Sequence, residues 1–375
     1  MSNWEWKKIR DVCVFIGDGD WIESKDQSSN GIRLIQTGNI GNGIYLDKRE
    51  RSHYISEKTF HRLHCTEIFP GDCLISRLPE PIGRACVIPD IAEKMITAVD
   101  CTIIRFCESI VPSFFIYYTQ SNKYFSDVKT ESTGATRKRI SRKNLENIKI
   151  PVPPLAEQKR IVKTLDEKFA KIDKLKTAAE TNLKNAREFF ITELKNILGN
   201  SVWDRMKLSD LLKLKSGDYL NSKDIVDGKY PVYGGNGIIA YHNDYNINGN
   251  NVIIGRVGAL CGNVRFITEP IWLTDNAFKI MFLKDCFDYS FITYLLNFLN
   301  LRSYARQAAQ PVISNSSLKD VLLPLPPLSE QKRIVAHLDK LSEKVKRLEE
   351  IYRRTIDDCE ELKKSILKQV FEVET

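Results

Sequence analysis

Apolar residues recur every three or four positions between residues 157 and 198. This spacing places a single apolar stripe along a helix. The stretch contains no glycine or proline; Pro153 and Pro154 precede it and Gly199 follows it, as helix boundaries favour. A helix of this length extends about 60 Å, too long for the core of a small domain, so we predict a coiled-coil strand. The predicted stripe consists of Ile161, Leu165, Phe169, Ile172, Leu175, Ala179, Leu183, Ala186, Phe190, Leu194 and Ile197.

A second stretch with the same spacing begins at Glu330 and continues nearly to Thr375. Its apolar residues also step by three or four, with one offset near Thr355. Two exposed stripes would each cost about 25 cal/mol per Å2 of apolar surface left in water, so we predict that the two helices pair. The second stripe consists of Ile334, Leu338, Leu341, Val345, Leu348, Tyr352, Cys359, Leu362, Ile366 and Val370.

The same proline-rich segment precedes both helices. Residues 151–162 read Pro-Val-Pro-Pro-Leu-Ala-Glu-Gln-Lys-Arg-Ile-Val, and residues 324–335 read Pro-Leu-Pro-Pro-Leu-Ser-Glu-Gln-Lys-Arg-Ile-Val. The offset is 173 positions (326 − 153), and it also relates Ile140-Ser141 to Ile313-Ser314. An ungapped match of this length indicates an internal duplication, which has to be recognised before the fold is assigned.

Short strand-like runs and glycine turns fill the chain before each proline-rich segment. In the first copy, residues 37–43 predict a tight loop, residues 73–77 and 102–106 predict strands, and residues 111–125 predict an aromatic helix. The second copy repeats this texture with diverged residues; residues 250–256, for example, parallel 71–77. We therefore predict a duplicated mixed domain with no regular alternation of strand and helix.

The predicted fold class is α/β (α+β). A first domain covers residues 1–152, a first long helix 153–199, a second domain 200–325 and a second long helix 326–375. The linker Gly199-Asn200-Ser201 is short, and extended chain covers only about 3.5 Å per residue, so the second helix has to run back along the first. We expect antiparallel helices that form a coiled coil and separate two domains related by a pseudo-twofold axis.

Composition and charge restrict the function classes only loosely. The chain has 375 residues with 42% hydrophobic and 28% charged residues, a net charge of +8 and a pI near 8.9. A mildly basic surface is compatible with nucleic acid but does not require it. No apolar stretch reaches the ~18 residues of a membrane span, and the N-terminus lacks a signal-peptide core. The nine cysteines include no C-x-x-C pair, so we expect free thiols in a reducing cytoplasm.

Catalytic motifs are weak in this sequence. Residues 15–19 match the short F-x-G-x-G pattern of methyl-donor binding, but base methylation would also need an Asn- or Asp-Pro-Pro-aromatic tetrapeptide. Both Pro-Pro pairs are followed by leucine. Residues 61–65 offer histidine and cysteine without further ligands at a recognisable spacing. No P-loop and no nucleophile elbow is present. We therefore expect a non-catalytic chain without a metal site.

Hydrogen-bonding and basic residues concentrate on the predicted loops. Arg, Asn and Gln carry paired groups that match the edges of guanine and adenine, and clustered cations neutralise phosphates. The basic run of residues 137–143 is absent from the second copy, so the architecture does not require it; a solvated basic turn is the alternative. The candidate DNA contacts are Arg33, Gln36, Asn39, Arg77, Arg84, Arg137, Lys138, Arg139, Arg142, Lys143, Tyr233, Asn236, Arg256, Arg265 and Gln310.

These features together resemble the specificity subunits of Type I restriction–modification systems. The resemblance covers the whole chain and depends on the duplicated Pro-Pro-Leu-x-Glu-Gln-Lys-Arg-Ile-Val at 153–162 and 326–335, each opening a long helix, and on the loop at 230–237. It implies two target recognition domains, each reading one half of an asymmetric split site in double-stranded DNA. The two helices would act as a spacer that fixes the gap between the half-sites.

The resemblance also implies protein partners. Two methyltransferase (modification) subunits and the restriction (endonuclease/translocase) subunits would assemble with this chain in a bacterial or archaeal cytoplasm, and no membrane is involved. Methyl donor, ATP and magnesium would belong to those partners, so no cofactor is expected in this chain. The candidates for the spacer joint or for partner contacts are Glu157, Gln158, Arg160, Glu330, Gln331 and Arg333.

Three alternatives remain open at this point. The chain could be the specificity subunit of a fused restriction–methylation enzyme outside Type I, which neighbouring genes would reveal. It could carry its own methylating or cutting activity, although no motif supports this. It could also be a coiled-coil scaffold without a role on DNA, in which case no site-specific binding would occur with methyltransferase partners present.

Overall fold

The chain divides into two compact units. The computed structural model describes residues 4–134, 138–199, 203–306 and 311–372. Unit 1 comprises Met1–Glu180 and Arg354–Thr375, and unit 2 comprises Thr181–Arg353. Each unit thus combines one mixed domain with parts of both long helices. The predicted division into two domains and two separate helices stays a prediction, because each compact unit contains parts of both helices.

Unit 1 contains short strands and short helices that precede a long helix, as its frequent turns predict. Its strands are β1 (Glu5–Lys8), β2 (Cys13–Asp18), β3 (Gln27–Ser28), β4 (Ile32–Ile35), β5 (His53–Ile55), β6 (Glu67–Ile68), β7 (Cys73–Ser76), β8 (Ala85–Val87), β9 (Met95–Thr97), β10 (Cys101–Phe106) and β11 (Lys149–Val152). Its helices are α1 (Glu57–Leu63), α2 (Pro112–Tyr118), α3 (Asn122–Thr130), α4 (Arg142–Asn147) and the start of α5 (Leu155–Gly199).

Unit 2 repeats this succession. Its strands are β12 (Arg205–Lys207), β13 (Leu212–Ser216), β14 (Tyr230–Gly234), β15 (Gly237–His242), β16 (Ile247–Asn248), β17 (Asn251–Gly255), β18 (Val264–Ile267), β19 (Pro270–Leu273), β20 (Ala277–Phe282) and β21 (Leu322–Pro324). Its helices are α6 (Leu208–Leu211), α7 (Tyr289–Phe298), α8 (Asn315–Leu318) and the start of α9 (Leu328–Phe371).

Sheet topology confirms the predicted duplication of the mixed domain. Unit 1 has strand orders β1-β11, β2-β10-β7-β8 and β3-β5-β4-β9-β6, and unit 2 has β12-β21, β13-β20-β17-β18 and β15-β14-β19-β16. In both units one sheet contains a parallel pair, β4 with β9 and β14 with β19, among antiparallel neighbours. Unit 1 adds β3 at the edge of the corresponding sheet.

The predicted helices α5 and α9 are present, and their parts run antiparallel inside each unit. In unit 1, Lys176 pairs with Glu360 at 2.6 Å and Asp173 pairs with Lys363, so the partner number falls as the α5 number rises. In unit 2, Arg187 pairs with Glu349 at 3.0 Å and His337 lies 3.9 Å from Glu193. The antiparallel prediction is therefore confirmed within both units.

Three members of the two predicted stripes are wrong, because Leu175 on α5 and Leu348 and Leu362 on α9 are exposed. Leu175 is 54% exposed, whereas Ile172 and Ala179 are buried. The buried positions follow a seven-residue spacing, typical of coiled coils, and the intervening inward position is taken by half-buried Lys176. Its ammonium reaches Glu360 at the edge of the pair, while its aliphatic stem covers apolar surface.

The predicted aromatic helix at 111–125 is broken into α2 and α3. Ser121 lies between them, and its hydroxyl accepts a hydrogen bond from Tyr124 N at 3.2 Å. This is an N-cap, which starts a new helix. The break lets Phe114, Tyr118 and Tyr124 from both helices enter the core of unit 1 together.

All nine cysteines are free, as expected. Burial raises the pKa of Cys86 to about 12, so its thiol stays protonated and unreactive. In the part of the chain that the structure describes, none of the helices has the length and apolar character that crossing a membrane requires. The F-x-G-x-G segment lies in β2 and at its end.

Candidate helix joints and nucleic-acid interface

A buried glutamine joins α5 to the mixed domain of unit 1. Gln158 is 0% exposed. Its Oε1 accepts a hydrogen bond from Val111 N at 2.8 Å, and its Nε2 donates to the carbonyl oxygens of Ser109 and Pro153, both at 2.8 Å. The side chain of this α5 residue therefore binds the backbone just before α2, at Ser109 and Val111, and the backbone just before α5, at Pro153. A buried amide with both ends hydrogen-bonded fixes the orientation of the helix.

Gln331 makes the same contacts in unit 2. It is 0% exposed, its Oε1 accepts from Asp288 N at 2.8 Å, and its Nε2 donates to Cys286 O and Pro326 O at 2.8 Å. The two mixed domains have diverged, yet each glutamine satisfies one backbone amide and two carbonyl groups. We therefore assign the repeated glutamine to the joint, and its burial removes it from the partner-contact candidates.

The other predicted residues of the repeat stay on the surface. Arg160 donates to Glu157 through Nε and Nη2 at 2.7 and 2.6 Å, and Arg333 donates to Glu330 at 2.8 and 2.7 Å. These hydrogen bonds lower the pKa of Glu157 and of Glu330. Both arginines are exposed, and such surface pairs contribute little to stability. Joint geometry therefore does not explain why the pair is repeated.

A tyrosine–aspartate contact ties each mixed domain to its helix. Tyr117 on α2 donates its phenolic hydrogen to Asp166 on α5 at 2.5 Å, and Tyr294 on α7 donates to Asp339 on α9 at 2.7 Å. Burial and the hydrogen bond to the carboxylate raise the pKa of both phenols. The sequence analysis missed this pair, although the two aspartates are 173 positions apart (339 − 166), the offset of the repeat.

Arg33 has an internal role. Its side chain is 2% exposed and pairs with Asp47 and with Glu93, the latter at 3.1 Å. A buried guanidinium with two carboxylate partners is compensated where it lies. We therefore reassign Arg33 from base contact to the positioning of the segments around β4.

Arg84 is buried and holds the glycine loop that precedes β5. Its Nε donates to Ile40 O at 2.6 Å, and its Nη2 donates to Thr37 O at 2.8 Å. Its Nη1 donates to Leu78 O and Pro81 O at 3.0 Å. Because all these donors bind backbone carbonyls, we reassign Arg84 to loop positioning as well.

Arg77 and Arg256 occupy equivalent places at the ends of β7 and β17. Arg77 Nη2 donates to Val99 O, and Arg256 Nη1 donates to Asp275 O at 3.2 Å. The buried Nε of each has no acceptor among the described residues. Arg77 is 5% exposed, so a DNA contact by it would require movement, whereas Arg256 is half-buried.

The basic segment provides the most accessible cations among the candidates. Lys138, Arg139, Arg142 and Lys143 are exposed, and Arg137 lies outside the described residues. Arg142 begins α4, which follows the capping residue Ser141. Exposed cations on a loop and a helix start can approach phosphates.

Asp18 brings two of these candidates together. Its carboxylate lies 3.4 Å from Arg142 Nε and 3.6 Å from Arg77 Nη2. Arg139 lies 3.3 Å from Asp100 in the same way. The acidic residues hold the arginine side chains in place. The exposed parts of the Arg139 and Arg142 guanidinium groups stay available for another anion, whereas Arg77 is buried.

Two polar candidates shape the glycine loop. Asn39 donates from Nδ2 to Leu46 O at 3.0 Å and accepts from Gln36 N at 3.0 Å. Both side chains are half-buried. Their contribution to base contact stays a prediction.

The remaining candidates of unit 2 differ in exposure. Tyr233 is buried on β14, Arg265 is half-buried on β18, and Asn236 is exposed in the turn between β14 and β15. Asn236 Oδ1 accepts from Leu260 N at 2.9 Å, which joins two loops. Gln310 lies outside the described residues.

Comparison with known proteins gives the family. The model of the family described as Type I restriction modification DNA specificity domain matches residues 1–185 and 200–353. The chain belongs to this family. The two matched segments each contain one mixed domain of the duplication.

One relative is similar to this chain in sequence, and two solved structures are similar to it in fold, each over most of its length. The Type I restriction enzyme EcoprrI specificity subunit of Escherichia coli is 27% identical over 76% of this chain and 75% of its own length. A solved chain from work on complex assembly and conformational transition of the type I R-M system has a TM-score of 0.79 at 18% identity, covering 98% of this chain and 97% of that one. The HsdS subunit from Thermoanaerobacter tengcongensis has a TM-score of 0.60 at 18% identity, covering 98% and 96%.

Proposed function

We propose that this chain is the DNA-recognition subunit of a Type I restriction–modification complex and reads a split, asymmetric site in double-stranded DNA. The observation that carries the proposal is the repetition of one topology and one glutamine joint in two units whose loop residues differ. Equal scaffolds with unequal surfaces are suited to reading two different short sequences. Family membership supports the same assignment.

The surfaces of the two units differ in charge where they would meet DNA. Unit 1 carries exposed Lys138, Arg139, Arg142 and Lys143, while the residues that follow the duplicated serine of unit 2 are Asn315-Ser316-Ser317. Unit 1 should therefore provide more of the salt-dependent phosphate binding. The difference between the units also explains why the half-sites should differ from each other.

The repeated surface residues support binding of two copies of one partner. Leu155 is 41% exposed and Leu328 is 42% exposed, and both lie beside the Glu–Arg pairs. Two further exposed apolar positions recur with the repeat offset of 173: Leu175 with Leu348, and Phe189 with Leu362. Folding gains nothing from such side chains in water. We propose that two modification subunits bind these equivalent surfaces, and that restriction subunits join the complex through them.

Chemistry in this proposal resides in the partners. Among the described residues, no group of three or more His, Cys, Asp or Glu side chains is placed to hold a metal ion. Methyl donor, ATP and magnesium would act on the partner subunits, and this chain would select the DNA. Such a complex would work in the cytoplasm, where it meets chromosomal and incoming DNA.

Base-resolution mapping of adenine methylation tests the proposal. Cells that carry the gene and its modification partners should show one split motif with a constant gap, and deletion of the gene should abolish it. Replacing residues 1–152 by the first domain of another family member should change one half of the motif and leave the other intact. A methylation pattern that is the same with and without the gene would refute the proposal.

A further inference from the structure

Two aromatic side chains are exposed at equivalent places in the two units. Trp21 is 70% exposed and Tyr219 is 72% exposed. Each follows a Gly-Asp pair at the end of a strand: Gly19-Asp20 after β2 and Gly217-Asp218 after β13. The offset is 198 for the glycines (217 − 19) and for the aromatics (219 − 21). Position and exposure are thus repeated, while the ring itself differs.

The backbone under both rings is held closely. A Cβ at Gly19 would lie 2.3 Å from Ala98 O, and a Cβ at Gly217 would lie 2.3 Å from Leu273 O. These distances exclude any other residue there without a shift of backbone. The glycine therefore lets the chain pass directly against the neighbouring segment.

Hydrogen bonds next to the glycines complete the same support. Asp20 N donates to Thr97 O at 2.8 Å, and Asp218 N donates to Leu273 O at 3.0 Å. The carboxylates are used too: Asp20 accepts from Thr66 N at 2.9 Å, and Asp218 accepts from an Asn246 amide at 2.9 Å. The rings therefore project from anchored backbone rather than from a loose loop.

Basic groups lie beside these loops. In unit 1, Asp18 precedes Gly19 and contacts both Arg77 and Arg142. In unit 2, Ser216 precedes Gly217 and donates to Asp275 O at 3.1 Å, the carbonyl that also accepts from Arg256. Each aromatic residue therefore follows a strand end whose polar groups contact arginine side chains or share an acceptor with one. The Trp21 indole also hydrogen-bonds the Glu23 carboxylate through its N–H, and its exposed apolar faces fit a ligand that offers flat apolar groups.

We propose that Trp21 and Tyr219 are aromatic DNA contacts, one in each recognition unit, whose rings pack on the bases or deoxyriboses of the half-site read by that unit. The inference rests on the proposed DNA-recognition function and adds the residues that make the apolar contact. Duplex DNA presents apolar base edges, thymine methyl groups and deoxyriboses beside its phosphates, and an aromatic ring can pack against these groups. Trp and Tyr supply large rigid contact area for such packing.

The different rings suit different half-sites. Indole offers a wider face than phenol, and only the tyrosine adds a hydroxyl that both donates and accepts. In unit 2 this hydroxyl accepts a long hydrogen bond of 3.4 Å from Asn221 Nδ2. An aromatic position that is fixed in the fold but varied in chemistry can contribute to both affinity and sequence preference.

Binding measurements on the assembled complex test this inference. The full chain is assembled with its modification subunits, and the probe is a fluorescein-labelled duplex that carries the mapped methylation motif. Trp21→Ala should weaken binding by at least about 5-fold, the change that corresponds to losing one important aromatic contact of an interface, and Trp21→Phe should weaken it less. Tyr219→Ala should behave alike. Scrambling the half-site read by unit 1 should remove most of the Trp21 effect and leave the Tyr219 effect.

Matched controls separate DNA contact from other roles. Trp6→Ala and Tyr241→Ala remove exposed aromatic side chains from strands of units 1 and 2 and should bind the duplex as the unchanged complex does. The fluorescence of Trp21 is obtained by subtracting the tryptophan fluorescence of the Trp21→Phe complex from that of the unchanged complex. Acrylamide should quench this fluorescence less when DNA is bound. Dissociation of modification subunits from the Trp21→Ala complex would instead assign the ring to a protein contact and overturn the inference.

The outcomes also distinguish the two proposals. If the unchanged complex shows no preference for the motif duplex over a scrambled duplex of equal length, the proposed function fails. If the unchanged complex prefers the motif and both alanine variants bind as tightly, the proposed function stands and the aromatic inference is wrong.

Discussion

The side-chain oxygen of Gln158 accepts a hydrogen bond at 2.8 Å from the backbone amide of Val111, the residue that caps α2. A side chain on a long helix thereby satisfies a backbone amide at the N-terminus of a helix in the mixed domain. The same atom pair recurs in unit 2 as Gln331 and Asp288. A rotation of either helix about its axis would break the hydrogen bonds of this buried side chain to one backbone amide and two carbonyls, so the glutamine resists such rotation.

Replacing this glutamine should destabilise its own unit. Gln158→Ala leaves one buried and two part-buried backbone groups without this partner. A buried group left unpaired costs about 1–3 kcal/mol, and water can reach the other two, so we expect a decrease of about 1–3 kcal/mol in the free energy of unfolding. Gln331→Ala should have an equal effect on unit 2. Chemical denaturation of the full chain, followed by circular dichroism, measures both. The exposed neighbour Lys159→Ala is the control and should change stability by less than about 0.5 kcal/mol. If Gln158→Ala and Lys159→Ala change the free energy of unfolding equally, Gln158 does not stabilise the junction between α5 and the mixed domain.

The exposed part of the repeat should matter for assembly and little for folding. The double variant Leu155→Ala/Arg160→Ala removes an exposed leucine and one member of a surface ion pair, so its unfolding free energy should change by less than about 1 kcal/mol. Its complex should hold one modification subunit more weakly, visible by native mass spectrometry as a shift toward complexes with a single copy.

The equivalent change Leu328→Ala/Arg333→Ala provides the matched comparison. It should produce the same shift, and the variant with all four substitutions should bind neither copy well. If the variant with four substitutions binds two modification subunits at the same subunit concentrations as the unchanged chain, this surface is not the binding site.

The phenol of Tyr117, which is half-buried and hydrogen-bonded to Asp166, should make stability fall in alkaline solution. The folded state raises the pKa of Tyr117, while the unfolded chain releases this proton near pH 10. The stabilisation is therefore complete below about pH 10 and is lost as pH rises from there toward the folded-state pKa. Tyr117→Phe/Tyr294→Phe should reduce the slope of unfolding free energy against pH above about pH 10. The double variant should also be less stable at about pH 8, by about 1 kcal/mol per hydrogen bond. An unchanged alkaline slope in the double variant would show that other groups determine it.

The exposed lysines of the basic segment should set salt dependence. Lys138→Ala/Lys143→Ala should weaken binding to specific and scrambled duplexes alike, and should lower the slope of log K against log salt by about 0.9 for each phosphate that is no longer neutralised. Arg139 and Arg142, which already have acidic partners, should contribute less per residue. Lys58→Ala, an exposed lysine on α1, serves as the control. A slope that stays constant in the double variant would place the phosphate contacts elsewhere.

The sequence by itself determined the parts of this protein that repeat in order along the chain. The duplicated proline segment, the two long helices and the antiparallel pairing follow from local periodicity and from the reach of a short linker, so they were predictable without coordinates. For the candidate DNA contacts, the sequence indicated which types of residue are present but not which of their side chains are exposed. Gln158 was marked as repeated, but its sequence context does not say whether a polar side chain points inward.

Tertiary structure decided which polar residues face inward. Arg33 and Arg84 lie on loop sequences that look exposed, yet carboxylates and carbonyls distant in sequence surround them. Trp21 and Tyr219 look like core residues by type, yet both rings lie in solvent, two residues after glycines that pack against neighbouring backbone. Both outcomes depend on contacts between segments tens of residues apart. The local pattern of this sequence predicted its two long helices, whereas the burial of one side chain depends on the distant segment that packs against it.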